Sequence, residues 1–281
     1  MSEGPGAGHG VAAASESRVE VLSDAQSSPF VDAWFDLATP DHFWFRWRLR
    51  ATWRLLAGSD LSRSTPLRAL EVGCGTGVLR AQLEAETVWS VDGADLDRSA
   101  LENVPAGRGR VLFYDLHDRL ERFREAYDLI ILYDVLEHVV DTRPFIDSLL
   151  YHLKPGGHLL LNVPALPWLF GRYDEAAGHE RRYDKRSLAA EFRGLDVEIC
   201  DMRYWGLSLV PVVMLRKLAS RSHGQRDAVI QRGFQPPGKI VHGLLKCVMR
   251  AEDALLRRPP FGSSLLLLAR KSGTGQSRSG G

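Results

Sequence analysis

The run Glu71-Val72-Gly73-Cys74-Gly75-Thr76-Gly77 constrains this chain more than any other segment. Three glycines at alternate positions follow an apolar strand candidate, Leu67 to Val72, and precede helix-permissive residues, Val78 to Glu86. Glycine takes backbone dihedrals that a side chain forbids and lets a ligand approach the main chain, so a strand–loop–helix turn of this composition suits a nucleoside. The spacing is G-x-G-x-G, whereas the dinucleotide fingerprint is G-x-G-x-x-G with a pyrophosphate on the helix N-terminus; Gly77 comes one residue too early. Glu71 closes the strand. A carboxylate there repels a pyrophosphate and accepts hydrogen bonds from an ammonium group, which favours a cationic amino-acid cofactor over NAD.

These residues resemble motif I of the class I S-adenosylmethionine-dependent methyltransferases. The resemblance implies that Glu71, Gly73, Cys74, Gly75 and Gly77 lie against the methionine part of S-adenosyl-L-methionine. Gly93-Ala94-Asp95-Leu96-Asp97 stands where that family ends its second strand with an acid for the ribose hydroxyls. Asp95, 18 residues beyond Gly77, takes that role with Leu96 beside it, since Asp92 falls inside the strand. Tyr114-Asp115-Leu116 follows the apolar run Val111 to Phe113 and is similar to the acid near the adenine amino group, implicating Asp115 and Leu116. The segment Tyr127 to His138 looks like motif IV and puts Tyr133 and Asp134 on the cofactor. Lys154-Pro155-Gly156-Gly157 resembles the turn before the fifth strand, His158 to Val163. Five features in this order, over residues 67 to 163, imply an α/β, Rossmann-like class I methyltransferase fold. Its seven-stranded sheet has the order 3-2-1-4-5-7-6, with helices on both faces and helical additions. Leu195 to Met202 and Gly262 to Ala269 supply the sixth strand and an antiparallel seventh.

The 281 residues, 44% hydrophobic and 25% charged, suffice for one substantial soluble core. Residues 1–28 are rich in Gly, Ala and Ser and read as a disordered tail, as do residues 272–281. Between them, 29–271 reads as a single methyltransferase domain. It comprises an N-terminal helical cap (29–60), the cofactor-binding core (67–163) and two substrate-side insertions (164–183 and 206–260). The cap carries Trp34, Phe35, Phe43, Trp44, Phe45, Trp47 and Trp53, a stripe expected to pack in the core, on a helix from Asp41 preceded by a turn at Pro40. Three scattered cysteines without a C-x-x-C pair point to a reducing interior and no structural zinc. There is no secretion signal, and the longest apolar run, Trp205 to Leu215, has 11 residues against about 20 for a bilayer span, so a cytoplasmic protein without a transmembrane segment is expected.

Charge is uneven. Residues 71–147 hold 16 acids against 8 Lys/Arg, and residues 203–258 hold 11 Lys/Arg against 3 acids. The basic part coincides with the second insertion, whose amphipathic patterns, Leu207 to Ser220 and Lys239 to Arg258, suggest peripheral membrane contact or an anionic acceptor. Packing on the sheet explains the same pattern.

For the chemistry, His138 near the expected methyl position is the first candidate base, with His179 in the first insertion as its rival. Gly178-His179-Glu180-Arg181-Arg182-Tyr183 is similar to a G-H-x-R-R-Y element of a bacterial methyltransferase subgroup. Arg181, Arg182 and Tyr183 are therefore candidate acceptor contacts, against an alternative in which they join Asp174, Glu175 and Glu180 in an ion-pair cluster. Asp134, Glu137 and His138 form a D-x-x-E-H set similar to the E-x-x-E-H set that binds a divalent ion in quinone-biosynthesis O-methyltransferases. The shorter aspartate arm and the cheaper role of acids at a helix start lead us to expect no metal. The expected activity is O-methylation of a small-molecule or lipid-linked acceptor. A nucleic-acid methyltransferase is disfavoured, because no Asn/Asp-Pro-Pro-Tyr motif follows the fourth strand. A cofactor-binding protein that transfers nothing is the remaining alternative.

Overall fold

The structure, a computed structural model, describes residues 18–27, 42–219 and 239–273. Trp34, Phe35, Pro40, Asp41, most of both expected tails and the middle of the second insertion lie outside the described residues. The described strands form one eight-stranded sheet. They are β1 (Val19–Val21), β2 (Arg68–Val72), β3 (Ser90–Asp95), β4 (Val111–Phe113), β5 (Tyr127–Tyr133), β6 (Leu153–Pro164), β7 (Val197–Trp205) and β8 (Ser264–Lys271). Their order is β1-β4-β3-β2-β5-β6-β8-β7, parallel except for β8, which runs antiparallel to both neighbours. With β1 set aside this is the expected 3-2-1-4-5-7-6. β1 corrects the reading of residues 1–28 as a disordered tail, since Val19–Val21 pairs in parallel with Val111–Phe113 and Val19 is buried. An edge strand needs only a few residues when its neighbour supplies every partner.

The central strands read as unbroken apolar runs because both sheet faces are covered. Side chains alternate across a strand, so Ile130 and Leu132 of β5 face one core while Leu129 and Ile131 face the other. The first core is closed by Ile146 and Leu149 of α4 (Thr142–His152). The second is closed by Trp47 and Leu55 of α1 (Phe43–Leu56) and by Leu79 and Leu83 of α2 (Val78–Glu86). The aromatic stripe of α1 is thus largely core: Trp47 is 1% exposed, and its ring meets Trp205 edge-on at 5.5 Å. The remaining helices are α3 (Arg98–Glu102), α5 (Arg172–Ala177), α6 (Lys185–Ala190), α7 (Val210–Ala219) and α8 (Lys239–Leu255).

Asp92 stands inside β3 and ties strands together. Its carboxylate accepts from Arg110 at 2.7 Å, Tyr127 at 2.9 Å and Arg68 at 3.0 Å. Burial alone would raise this carboxyl, but the hydrogen bonds from Arg110 and Arg68 hold it below the usual aspartate value. Its contribution to stability is therefore complete above the unfolded-state value near about 4 and is lost as pH falls through the lower folded value. Asp92→Ala is expected to cost about 1–3 kcal/mol in urea unfolding at pH 7, with no change in S-adenosylhomocysteine affinity. An unchanged midpoint would refute the structural role.

Candidate functional site

A cavity of about 760 Å³ opens at the carboxyl ends of the central strands, where an open parallel sheet places its ligands. Glu71, Gly73, Cys74, Gly75, Asp95, Leu96, Asp115, Leu116, Tyr133 and Asp134 all line it, as do His138, His179 and Arg182. Gly77, expected on the cofactor, does not line it; it is the N-cap of α2, with φ 72°. Arg181 also lies off the cavity, donating to the Val140 carbonyl at 2.9 Å. Tyr183, expected at the acceptor, is 1% exposed in the first core. Arg182 turns to the Asp174 carboxylate, while the main chain at Tyr183 bridges to Ala165.

The glycine loop is held from β3. Gly73 N–H donates to the Ala94 carbonyl at 2.8 Å, and Gly75 N–H donates to Asp95 Oδ2 at 2.7 Å. Gly73 has φ 70°, and a Cβ there would collide with Val135 Cγ2, so only glycine fits. Asp95 Oδ1 accepts from Asp97 N–H at 2.8 Å. Burial raises the Asp95 carboxyl despite these bonds. Glu71 is 4% exposed and its Oε2 lacks a hydrogen-bond partner; burial pushes its carboxyl up to about 8, with Arg48 the main opposing charge. A ligand ammonium group placed here would find an acceptor it could ionise.

Sequence reasoning missed three residues that shape the cavity. Arg48 of α1, 5% exposed, donates to Asp134 Oδ2 at 2.8 Å and stacks within 4.7–4.9 Å of the Trp44, Phe45 and Tyr133 rings. Only its place among aromatics signalled it. Asn162 of β6 donates to Asp134 Oδ1 at 2.7 Å. Ser23, in the segment read as a tail, accepts no such role from its composition, yet the main-chain N–H of Asp115 donates to its hydroxyl at 2.8 Å.

The opposite wall is largely apolar. Leu169, Leu209, Val212, Val213 and Leu245 give it an aliphatic surface. His138 and His179 stand ring edge to face at 4.8 Å. His138 Nδ1 lies 3.1 Å from the Gly178 carbonyl, which fixes the proton on that nitrogen. Burial, and then the neighbouring His179, push His138 down to about 4. His179 Nδ1 lies 2.9 Å from Asp174 Oδ1. Glu137 is 1% exposed with both carboxylate oxygens unpartnered, and burial followed by repulsion from Asp134 raises it well above its usual value.

These residues do not assemble a D-x-x-E-H coordination set. Both oxygens of Asp134 are committed to Arg48 and Asn162. The structure instead gathers Glu137, His138 and His179, whose potential ligand atoms all lie within 4.8 Å of one another.

With this geometry in hand, the chain was compared with known proteins. A family described as a methyltransferase domain matches residues 41–201. The ubiquinone biosynthesis O-methyltransferase of Rickettsia typhi is 30% identical over 120 residues, which is 40% of this chain and 47% of that protein. A probable S-adenosylmethionine-dependent methyltransferase of Mycolicibacterium smegmatis is 30% identical over 128 residues, 44% of this chain and 46% of its own length. The chain thus spans less than half the length of these curated relatives. Among solved structures, the [4+2]-cyclase SpnF aligns with TM-score 0.53 and 19% identity, over 80% of this chain and 82% of its own. Haemonchus contortus phosphoethanolamine N-methyltransferase 2, in complex with S-adenosyl-L-methionine, aligns with TM-score 0.50 and 15% identity, over 80% of this chain and 52% of its own. These structural likenesses speak for the fold.

Two measurements check the cofactor half of the cavity. Asp95→Ala is expected to weaken S-adenosylhomocysteine binding by about 10-fold or more, since hydrogen bonds to a charged group contribute about 1.5–3 kcal/mol each. Binding to the wild type at pH 7 should release protons, because the amino group of the ligand ionises a Glu71 carboxyl that starts near 8. Calorimetry in buffers of different ionisation enthalpy reads that release, and Glu71→Gln should abolish it.

Proposed function

The chain belongs to the methyltransferase-domain family, and we propose that it transfers the methyl group of S-adenosyl-L-methionine to an oxygen of a small-molecule or lipid-linked acceptor. The observation that carries this reading is the continuity of one cavity, from the glycine loop and its acids to an aliphatic chamber containing two histidines. Methyl transfer from a sulfonium disperses charge in an in-line displacement, so the protein mainly aligns the acceptor and excludes water. An oxygen acceptor also needs a base, and neutral imidazole beside the expected methyl position supplies one. The relatives named as ubiquinone biosynthesis O-methyltransferases support an oxygen acceptor on an amphiphile.

The chamber wall supports the amphiphile more directly. Val212 and Val213 of α7 line the cavity, while Met214 and Leu215 of the same helix are exposed. Trp168, 55% exposed, stands next to them, with Lys217 Nζ donating to its carbonyl at 2.5 Å. An apolar wall that continues onto the surface beside a cation suits a chain delivered from a membrane surface, and hence peripheral contact. Among the described residues no helix is long and apolar enough to cross a membrane.

The test incubates the full chain with methyl-labelled cofactor and, in separate reactions, bacterial lipids in vesicles, soluble bacterial metabolites, and bacterial nucleic acid. Label is expected as a methyl ether in the lipid or metabolite reaction; label confined to nucleic acid would overturn the acceptor class. The same reaction with EDTA is expected to keep its rate within about twofold, because Asp134, the first member of the D-x-x-E-H set, is bonded to Arg48 and Asn162. A loss restored by magnesium or manganese would reverse that expectation.

A further inference from the structure

The D-x₄-H-x₂-R spacing of Asp174, His179 and Arg182 is a folded unit. Asp174 sits in α5 and is 1% exposed. Gly178 ends that helix in the left-handed region, φ 79°, and so turns the chain back until His179 N–H donates to the Asp174 carbonyl at 2.8 Å. The side chain of His179 thereby meets the Asp174 carboxylate. That carboxylate is itself fixed by Gly171 N–H on Oδ2 at 2.9 Å and by Arg182 Nε on Oδ1 at 2.8 Å. Glu180 N–H donates to the Glu137 carbonyl at 2.8 Å, which anchors the insertion to the segment after β5. The whole unit faces the cavity.

We propose that His179 is the general base of the methyl transfer and that Asp174 is its positioning residue, holding the imidazole proton on Nδ1 so that Nε2 carries the lone pair toward the acceptor. This rests on the oxygen-methylation reading above. In the step, the acceptor O–H proton passes to His179 Nε2 as its oxygen forms a bond to the methyl carbon. The carbon–sulfur bond breaks with its electron pair going to sulfur, leaving the neutral thioether. The imidazolium that results lies against a carboxylate, whereas the partner of His138 Nδ1 at 3.1 Å is the neutral Gly178 carbonyl. The other charged or titratable groups around His179 are Arg182 from its own segment, Glu137 and His138 from the turn after β5, and Asp134 at the end of that strand.

Two readouts test it on the full chain. The first needs no acceptor: long-range ¹H–¹⁵N spectra of histidine-labelled protein saturated with S-adenosylhomocysteine, with the His179 signals assigned by their loss in His179→Ala. The Nδ1–H tautomer is expected in the wild type, and Asp174→Ala should release it to a mixture or to Nε2–H at unchanged S-adenosylhomocysteine affinity. Should Asp174→Ala lose that affinity, the isosteric Asp174→Asn is read instead. An Nε2–H tautomer in the wild type would overturn the proposal. The second readout is turnover of the labelled fraction found above. His179→Ala should lose about 10²–10⁴-fold in kcat, and Asp174→Ala in the His179→Ala background should lose nothing more. A full additional loss in the double variant would show that Asp174 acts elsewhere, and a loss under tenfold for His179→Ala would dismiss His179 as the base. Failure to label any fraction while the tautomer result holds would count against the oxygen-methylation reading and not against the Asp174–His179 pairing.

Discussion

The site is organised by carboxyl groups kept from water. Glu71, Asp95, Asp134 and Glu137 all stand at the cavity, and burial is the largest influence raising each of them. Arg48 is the strongest opposing charge at both Glu71 and Asp134. A buried charge without a partner is costly, so burial drives all four toward the neutral acid and a cationic ligand favours their ionised form. S-adenosylmethionine brings two positive groups, an ammonium and a sulfonium. Six acids of residues 71–147 line the cavity, Glu71, Asp95, Asp97, Asp115, Asp134 and Glu137, and none of the Lys/Arg residues of that span does. Such a lining suits a cationic ligand and disfavours a pyrophosphate.

Arg48 also explains how the cap is joined to the core. Its guanidinium lies against three aromatic rings and bonds Asp134, which has φ 59°, a conformation that a non-glycine residue holds only when its surroundings insist. Asn162 completes that insistence. Its side chain donates to Asp134 and accepts from Trp205 Nε1 at 2.8 Å, while its carbonyl accepts Asp134 N–H at 2.9 Å. Trp205 in turn packs on Trp44 and Trp47 of α1. One polar chain thus links the ends of β5, β6 and β7 to a helix that lines the cavity.

The sheet was legible in the sequence because its central strands are buried on both faces and its turns carry glycine at fixed places. Asp95 could be told from Asp92 by position alone, and Asp92 proves to be occupied by Arg68 and Arg110. What escaped was whatever depends on contacts distant in sequence. Val19–Val21 is too short to show periodicity, and its partner β4 lies some 90 residues on. Arg48 looks like any arginine on an amphipathic helix until Asp134, 86 residues away, is seen opposite it. In the Arg181-Arg182-Tyr183 run the sequence left acceptor contacts and an ion-pair cluster as alternatives, and Arg182 does pair with Asp174; which of the three side chains would do so depends on the fold of the insertion and not on any pattern in the run.

The first insertion shows how a substrate-side loop can gain precision without a larger scaffold. Loops hold functional groups less firmly than strands or helices, because few buried contacts restrain them. Here the restraint is a single buried carboxylate, Asp174, which receives a main-chain N–H, a guanidinium and an imidazole at once. Burial would raise this carboxyl, yet the bonds from His179 and Arg182 hold it below the usual aspartate value, whereas burial raises Glu137 nearby. Two acids within one cavity are thereby driven in opposite directions, one toward a fixed negative charge and one toward a neutral acid. Asp174 is left as the carboxylate that orients the His179 ring, bonded to its Nδ1 at 2.9 Å.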